Sequence, residues 1–426
     1  MIINAERMFD GHTLTTDASV LIVGGLIVKV GRRGEFKGKA INTKFLLPGL
    51  IDMHMHLRTY AGSFSYANDV KLFDYFSKML LYNGITTVRD VGSYVNSIYN
   101  FKNIKGYKPR IFSSIFLDGD SPIWSMSFVI RDEDQIREVI NNYKASGIEW
   151  IKAYESIRPN VLKVIIREAH ANGLKVAGDL LKTSSKEAIR MKIDTLEHIE
   201  LLINGVNGRP SKSLKDIYKR WARTNVGSKE ITGLVDYLAR STTAICPTLS
   251  LIEMSLFPSL KYAEYLKVLF PSNKIYKKRN VKTAFTKIDL VTRKRAFNNI
   301  LKFAKKLNDA GISIVAGTDS TNAYVAPGFS LHQELKLMVA SGIAPIDALK
   351  AATSEAAKVL GTNKIGQIRV GCKADLILLS EHADLNIANI DKITHVILNG
   401  TKIKVNLESL LLRSTLNRFV PEKVSH

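Results

Sequence analysis

Residues 49–57 read GLIDMHMHL. The stretch is almost wholly apolar, as in a buried strand, yet His54 and His56 stand two residues apart within it. Side chains alternate between the faces of a strand, so both imidazoles point the same way. They are either two core histidines or half of a metal site, and the rest of the chain has to decide between these.

Seven further segments share the pattern of an apolar run closed by a polar or glycine-rich end. They are ITTVRDVG (85–92), RIFSSIFLDG (110–119), IEWIKAYES (148–156), LKVAGD (174–179), IDTLEHIE (193–200), TAICPTLS (243–250) and ISIVAGTDS (312–320). The intervals between them mostly carry helical periodicity. In DEDQIREVINNYKASG, Ile136, Val139, Ile140 and Tyr143 fall on one face, acids crowd the start, and Gly147 ends the helix. Strands alternating with helices are βα units, and eight of them predict an α/β fold, a closed (β/α)8 TIM barrel.

The two ends read differently. Residues 1–45 contain VLIVGGLIVKVG, two short strands around Gly24-Gly25, which is a hairpin signal. Residues 365–404 contain IGQIRVGCKADLILLS and ITHVILNGTKI, again strand-like with glycine turns. Neither end carries a helix of comparable strength, so the termini are expected to combine into one small β domain. The expected division is residues 1–47 and 362–426 for that domain and its tail, and 48–361 for the barrel. Residues 329–361 form a helical bridge, with Pro345 at a helix start and Gly342 and Gly361 as stops.

Composition narrows the function. A chain of 426 residues, 46% of them hydrophobic, can bury a sizeable core. It has no apolar run of about 18 residues to suggest a membrane span, and the start lacks the layout of a signal peptide. Cys246 and Cys372 are the only cysteines and lie far apart. They provide neither a disulfide framework nor an all-cysteine zinc site, and they favour a reducing, cytoplasmic setting. The net charge is +22, much of it in residues 261–306. Such a region suits a solvated helical face in a lysine-rich protein better than a nucleic-acid or membrane surface, since no nucleic-acid-binding motif accompanies it.

Barrel enzymes place their chemistry at the C-terminal ends of the strands. There the sequence offers His54 and His56, Lys152, Asp179, His198 and Asp319. A lone buried histidine is usually a core residue. A His-x-His pair with further histidine and aspartate on other strands favours a divalent metal such as zinc. Lys152 is the odd member, because an ammonium repels a metal. It fits if neutral or converted by carbon dioxide to a carbamate; otherwise it forms a salt bridge at the barrel mouth.

On LLPGLIDMHMHL, GITTVRDVG, GIEWIKAYESI, EAHANGLKVAG, IDTLEHIE, CPTLS, VAGTDS, LHQELKLM, ALKAATSEAAKVLG and IGQIRVGCKADLILL, the chain resembles the amidohydrolase superfamily, in its imidazolonepropionase and prolidase-like branch. The resemblance implies a distorted barrel, a composite β-sandwich from the termini, and a binuclear metal centre. It implies that His54, His56 and Asp319 hold the first metal, that Lys152 bridges both as its carbamate, that His198 holds the second, and that Asp319 handles the proton of the attacking water. The implied reaction is hydrolysis of a C–N bond in an amide, a dipeptide or a cyclic amide.

One position departs from the pattern. After GLKVAG the family calls for histidine, and this chain has Asp179. A carboxylate still binds a divalent ion but shifts preference from zinc toward manganese. Alternatively Asp179 pairs with unmodified Lys152, and the protein is mononuclear or redirected to isomerisation, cyclisation or ligand binding. Around the mouth, Arg58 is a candidate for a substrate carboxylate or a structural ion pair, Tyr154 a candidate hydrogen-bond donor, and residues 119–128 and 203–228 candidate lids. The expected partner is a small-molecule substrate, and a homo-oligomer stays open. No Gly-x-Ser-x-Gly elbow, phosphate loop or dinucleotide fingerprint competes.

Overall fold

The computed structural model describes residues 1–57, 66–124, 126–206, 211, 213–258, 284–322 and 325–403. Arg58, part of each candidate lid and much of the basic stretch therefore lie outside the described residues. Seven strands form one parallel, staved wall in the order Leu50–Met55, Ile85–Asp90, Arg110–Asp118, Trp150–Ala153, Lys175–Gly178, Thr195–Glu197 and Ala244–Cys246. All six residues of the first and second strands are buried, because a parallel wall is covered by its own interior on one face and by helices on the other.

The eighth segment closes the barrel without a regular ladder. Ile314 bridges Ile245 and Ser320 bridges Met55, both in parallel. Val315 N donates to Ile245 O and Met53 N to Ala316 O, each at 2.9 Å. The ladder breaks where Thr318 and Asp319 both turn their N–H groups onto the His54 carbonyl, at 3.1 and 2.7 Å. At Gly317 a Cβ would sit 2.7 Å from His54 Cβ, so only glycine lets the two strands approach this closely.

The helices follow the expected chemistry. Helix Glu133–Lys144 starts where the Asp132 side chain accepts from Gln135 N at 2.9 Å, and it buries Ile136 and Ile140 against the wall. The expected bridge is three helices, Phe329–Ala340, Pro345–Ala351 and Ser354–Leu360. No described helix is long and apolar enough to cross a membrane.

Both termini contribute to a second, mixed sheet in the order Thr401–Ile403, Ile393–Leu398, Leu376–Leu379, Ala40–Pro48, Ile2–Phe9, Leu14–Val23, Leu26–Arg32. Leu376–Leu379 runs antiparallel to Ala40–Pro48, and this pairing joins the two ends of the chain. Ile3, Val20, Ile27, Leu46, Leu376 and Ile397 form its own core, separate from the barrel interior. The expected composite of the termini is thus present, and in the described residues it is one seven-stranded sheet.

Candidate metal centre

Five of the polar residues expected at the strand ends gather around Asp319. His54 Nε2 lies 3.5 Å and His56 Nε2 3.1 Å from Asp319 Oδ1, and His198 Nε2 lies 4.0 Å from Asp319 Oδ2. The His54 ring is 5.6 Å from that of His56 and 4.8 Å from that of His198, centre to centre. Asp179 Oδ2 is 3.1 Å from His198 Nε2 and 3.5 Å from Lys152 Nζ. His198 and Asp319 both adopt left-handed backbone, at φ 60°. For non-glycine residues this costs about 1–3 kcal/mol each, a strain tolerated where the surrounding structure over-determines a site.

Each imidazole is oriented by a partner on its far nitrogen. His54 Nδ1 lies 2.6 Å from Glu197 Oε2, His56 Nδ1 2.8 Å from the Gly92 carbonyl, and His198 Nδ1 2.9 Å from Thr248 Oγ1. A carbonyl and a carboxylate only accept, so Nδ1 carries a proton in His54 and His56, which leaves each Nε2 as the atom that would face a metal beside Asp319. Burial and the positive charge of Lys152 press His54 down to about 3, so it is neutral at physiological pH.

The other side is charged. Burial pulls His198 downward, but the Asp179 carboxylate outweighs it and holds His198 up at about 9. Burial pushes Asp179 upward, and His198 and Lys152 override it, bringing the carboxyl to about 2. Against its burial, Asp319 is held below the ordinary carboxylate range by the imidazoles of His54 and His56.

The residues fit a divalent ion. His54, His56 and Asp319 offer one ligand atom each, all within 4.8 Å of one another. His54 Nε2, Asp319 Oδ1 and Lys152 Nζ are buried without a hydrogen-bond partner among the described residues. Orphaned buried polar atoms are costly, and two imidazole nitrogens beside a carboxylate oxygen suit zinc or a similar ion. His54, Glu197 and Cys246 form a second close group. There, however, Glu197 is already engaged. Its Oε1 accepts from Arg89 Nη2 at 2.7 Å and from Thr195 Oγ1 at 2.5 Å, so this group buttresses His54.

Tyr154 is buried beside Lys152, and its hydroxyl keeps a proton to donate. Its oxygen accepts from Trp124 Nε1 at 2.8 Å, and Lys152 Nζ lies 5.8 Å from its ring centre. His170 is remote from the centre, on helix Pro159–Ala171, with Nε2 2.8 Å from Asp194. His332 packs between Asp391 and the Asn83 carbonyl, each at 2.9 Å.

Several supporting residues escaped the sequence reading. Arg89 is fully buried. It donates to Met53 O, Thr195 and Glu197, and lies 4.5 Å over the Trp150 ring. Asp52 accepts from His54 N and from both Thr318 N and Thr318 Oγ1, which ties the His-x-His strand to the Asp319 turn. The available signal was a charge inside an otherwise apolar strand, in LIDMH, TVRD and TLEH.

Comparison with known proteins agrees with this architecture. The sequence profile of the Amidohydrolase family matches residues 45–403, and the chain belongs to that family. Curated relatives match over only part of their lengths. An adenine deaminase of Thermosipho africanus is 28% identical over 120 residues, 28% of this chain and 21% of that protein. A dihydroorotase of Pyrococcus furiosus is 25% identical over 232 residues, 48% of this chain and 52% of that protein. The chain thus spans from about a fifth to about half the length of these relatives. Among solved structures, a Xaa-Pro dipeptidase with methionine in its active site superimposes with a TM-score of 0.69 at 20% identity, over 95% of this chain and 99% of that one. At that identity the likeness establishes a shared fold.

Proposed function

We propose that this protein is a metal-dependent hydrolase that cleaves a C–N bond, in an amide, a dipeptide or a cyclic amide, with an activated water. The observation that carries the reading is the convergence of the His54 and His56 Nε2 atoms on a buried Asp319 oxygen that has no hydrogen-bond partner among the described residues. His54, His56 and Asp319 would hold a first divalent ion, zinc before manganese. His198 and Asp179 would hold a second, and Lys152, as its carbamate, would add oxygen donors to the centre. A bound divalent metal lowers the pKa of water from about 16 toward about 7 and so supplies hydroxide at neutral pH. Asp319 takes the proton of the attacking water and returns it to the leaving nitrogen. Glu197 and the Gly92 carbonyl keep the two imidazoles in the tautomer that offers Nε2. Arg89 keeps Glu197 ionised in turn: burial works against the charge, and the guanidinium holds the carboxyl well below the usual range.

A second reading has its own observation. Asp179 stands between Lys152 and His198 as a direct ion pair with both. That arrangement suits an unmodified lysine and a mononuclear or redirected protein. Metal analysis of the purified chain, with a panel of dipeptides, N-acyl amino acids and cyclic amides, tests both readings. About two equivalents of metal, with turnover lost on chelation and restored on reconstitution, supports the binuclear hydrolase. One equivalent supports the second reading, and a protein that neither binds metal nor turns over any amide refutes the first.

A further inference from the structure

Helix Leu249–Leu256 begins at Thr248, a residue type whose hydroxyl ordinarily accepts an N–H from the first helical turn. Here it makes no such bond. The Thr248 hydroxyl lies against His198 Nδ1 instead. The open N–H groups of the first turn are taken from outside: Leu249 N donates to Glu334 Oε1 at 2.9 Å and Ser250 N to Glu334 Oε2 at 2.6 Å. Glu334 comes from helix Phe329–Ala340, and both Glu334 and Thr248 are completely buried. Water therefore has no access to replace either partner.

We propose that Glu334 is a positioning residue of the centre: by capping helix Leu249–Leu256 in place of Thr248, it leaves the Thr248 oxygen to receive the His198 Nδ1 proton. The inference rests on the reading that His198 belongs to the centre. Whenever His198 offers its Nε2 lone pair to a cation, the proton must sit on Nδ1, and Thr248 is the acceptor that fixes it there. Without the Glu334 carboxylate both N–H groups lose their acceptor, and with glutamine in its place one does. The Thr248 hydroxyl, at the N-cap position although its backbone is left-handed at φ 50°, is the local group that can turn to replace it. The Thr248 oxygen then turns to the helix, and His198 loses its anchor. The backbone already joins these parts, since His198 N donates to Cys246 O at 3.0 Å and Ile199 N to Pro247 O at 3.3 Å. Only the imidazole depends on the hydroxyl.

The test uses the whole chain labelled with ¹⁵N-histidine, first free of metal, with His198→Asn to assign the resonance. The wild type is expected to show a His198 Nδ1–H that exchanges slowly with solvent. Glu334→Gln and Thr248→Val should each lose that protection, Thr248→Ser should keep it, and the Glu334→Gln, Thr248→Val pair should lose no more than either alone. Titration with zinc alone should show one binding step weakened about tenfold or more in both single variants, again without addition in the double. Should Glu334→Gln fail to fold, Glu334→Asp, which reaches one N–H and not both, serves in its place. A Glu334 variant that melts earlier yet keeps the protected Nδ1–H and the wild-type zinc isotherm overturns the proposal. If wild-type protein binds no zinc, the hydrolase reading fails, while proton exchange in the metal-free chain still decides the role of Glu334.

Discussion

On one side of the centre, His54 and His56 send their Nδ1 protons outward, to Glu197 and to the Gly92 carbonyl, and turn both Nε2 atoms toward Asp319 Oδ1, which has no hydrogen-bond partner among the described residues. On the other side, Asp179 lies between the ammonium of Lys152 and the imidazole of His198. Both sides set histidine against aspartate at the ends of barrel strands. They differ in where the compensating charge sits. On the first side His54 is neutral and is balanced from behind, through Glu197 and Arg89. The second side is balanced within itself, so a cation must displace a proton from His198 and the ammonium from Asp179. Preorganisation therefore depends on the residues behind the ligands as much as on the ligands.

The largest effect is expected from removing a ligand on the preorganised side. His56→Asn should strip the first metal and reduce any metal-dependent turnover by more than about 100-fold, since loss of a supporting partner alone costs about 10–100-fold. Far-ultraviolet circular dichroism should stay unchanged, because the wall strands are held by their ladders and not by this side chain. Full metal content in the variant would return His54 and His56 to the status of core residues.

The two sides should next separate by pH. His54, held near 3, has no proton to lose above pH 5, whereas His198, held near 9, must release one on binding. Zinc affinity at the second position should therefore rise by about fiftyfold between pH 7 and pH 9, while the first stays nearly flat, as proton competition at His198 requires. The metal-free protein should show the matching stability change. The pKa of His198 is raised from 6.5, so its stabilisation is complete below 6.5 and is lost as pH climbs through about 9. Asp179 is lowered from 3.8, so its contribution is present above 3.8 and is lost as pH falls through about 2. Melting temperature should accordingly decline from pH 6.5 to 9. Calorimetric titrations in which both positions respond to pH in parallel would erase the proposed asymmetry.

The preorganised side was the more legible in the sequence, for a physical reason. His54 and His56 share a face because strand geometry alternates, and that is a local rule. The strand ends carrying Lys152, Asp179, His198 and Asp319 follow from barrel topology, a regular one. The supporting residues obey neither. Glu197 meets His54 across 143 residues of chain, Arg89 meets Glu197 across 108, and Glu334 reaches Leu249 across 85. No spacing in the sequence encodes such pairings, which arise only when the barrel interior brings distant strands together. The irregular eighth segment was read as a strand like the others, although its glycine and the left-handed Asp319 interrupt the ladder. Thr248 looks like an ordinary helix cap, and only the structure shows its hydroxyl turned to His198.

The variant that tests the comparison most directly is Asp179→His. The substitution removes the charge that holds the second side closed and supplies the imidazole that the family pattern has at this position. In the metal-free protein it should be destabilising, because Lys152 and His198 lose their shared carboxylate in a buried site. Zinc should then bind more tightly at the second position, for two separable reasons. Near pH 7 the His198 proton is no longer held by Asp179, so competition from it falls away. At pH 9.5, where His198 has largely released its proton in both forms, only the exchange of an oxygen ligand for a nitrogen one remains, worth about tenfold for zinc and less for manganese. Titrating each metal into both forms at the two pH values resolves the contributions. A gain for zinc that is larger at pH 7 than at pH 9.5 supports a second side closed by its own charges. An equal gain at both would mean that Asp179 is only a weaker ligand. If the variant gains a metal yet loses the native turnover, the carboxylate takes part in a different reaction, and the plain hydrolase reading gives way to the redirected one.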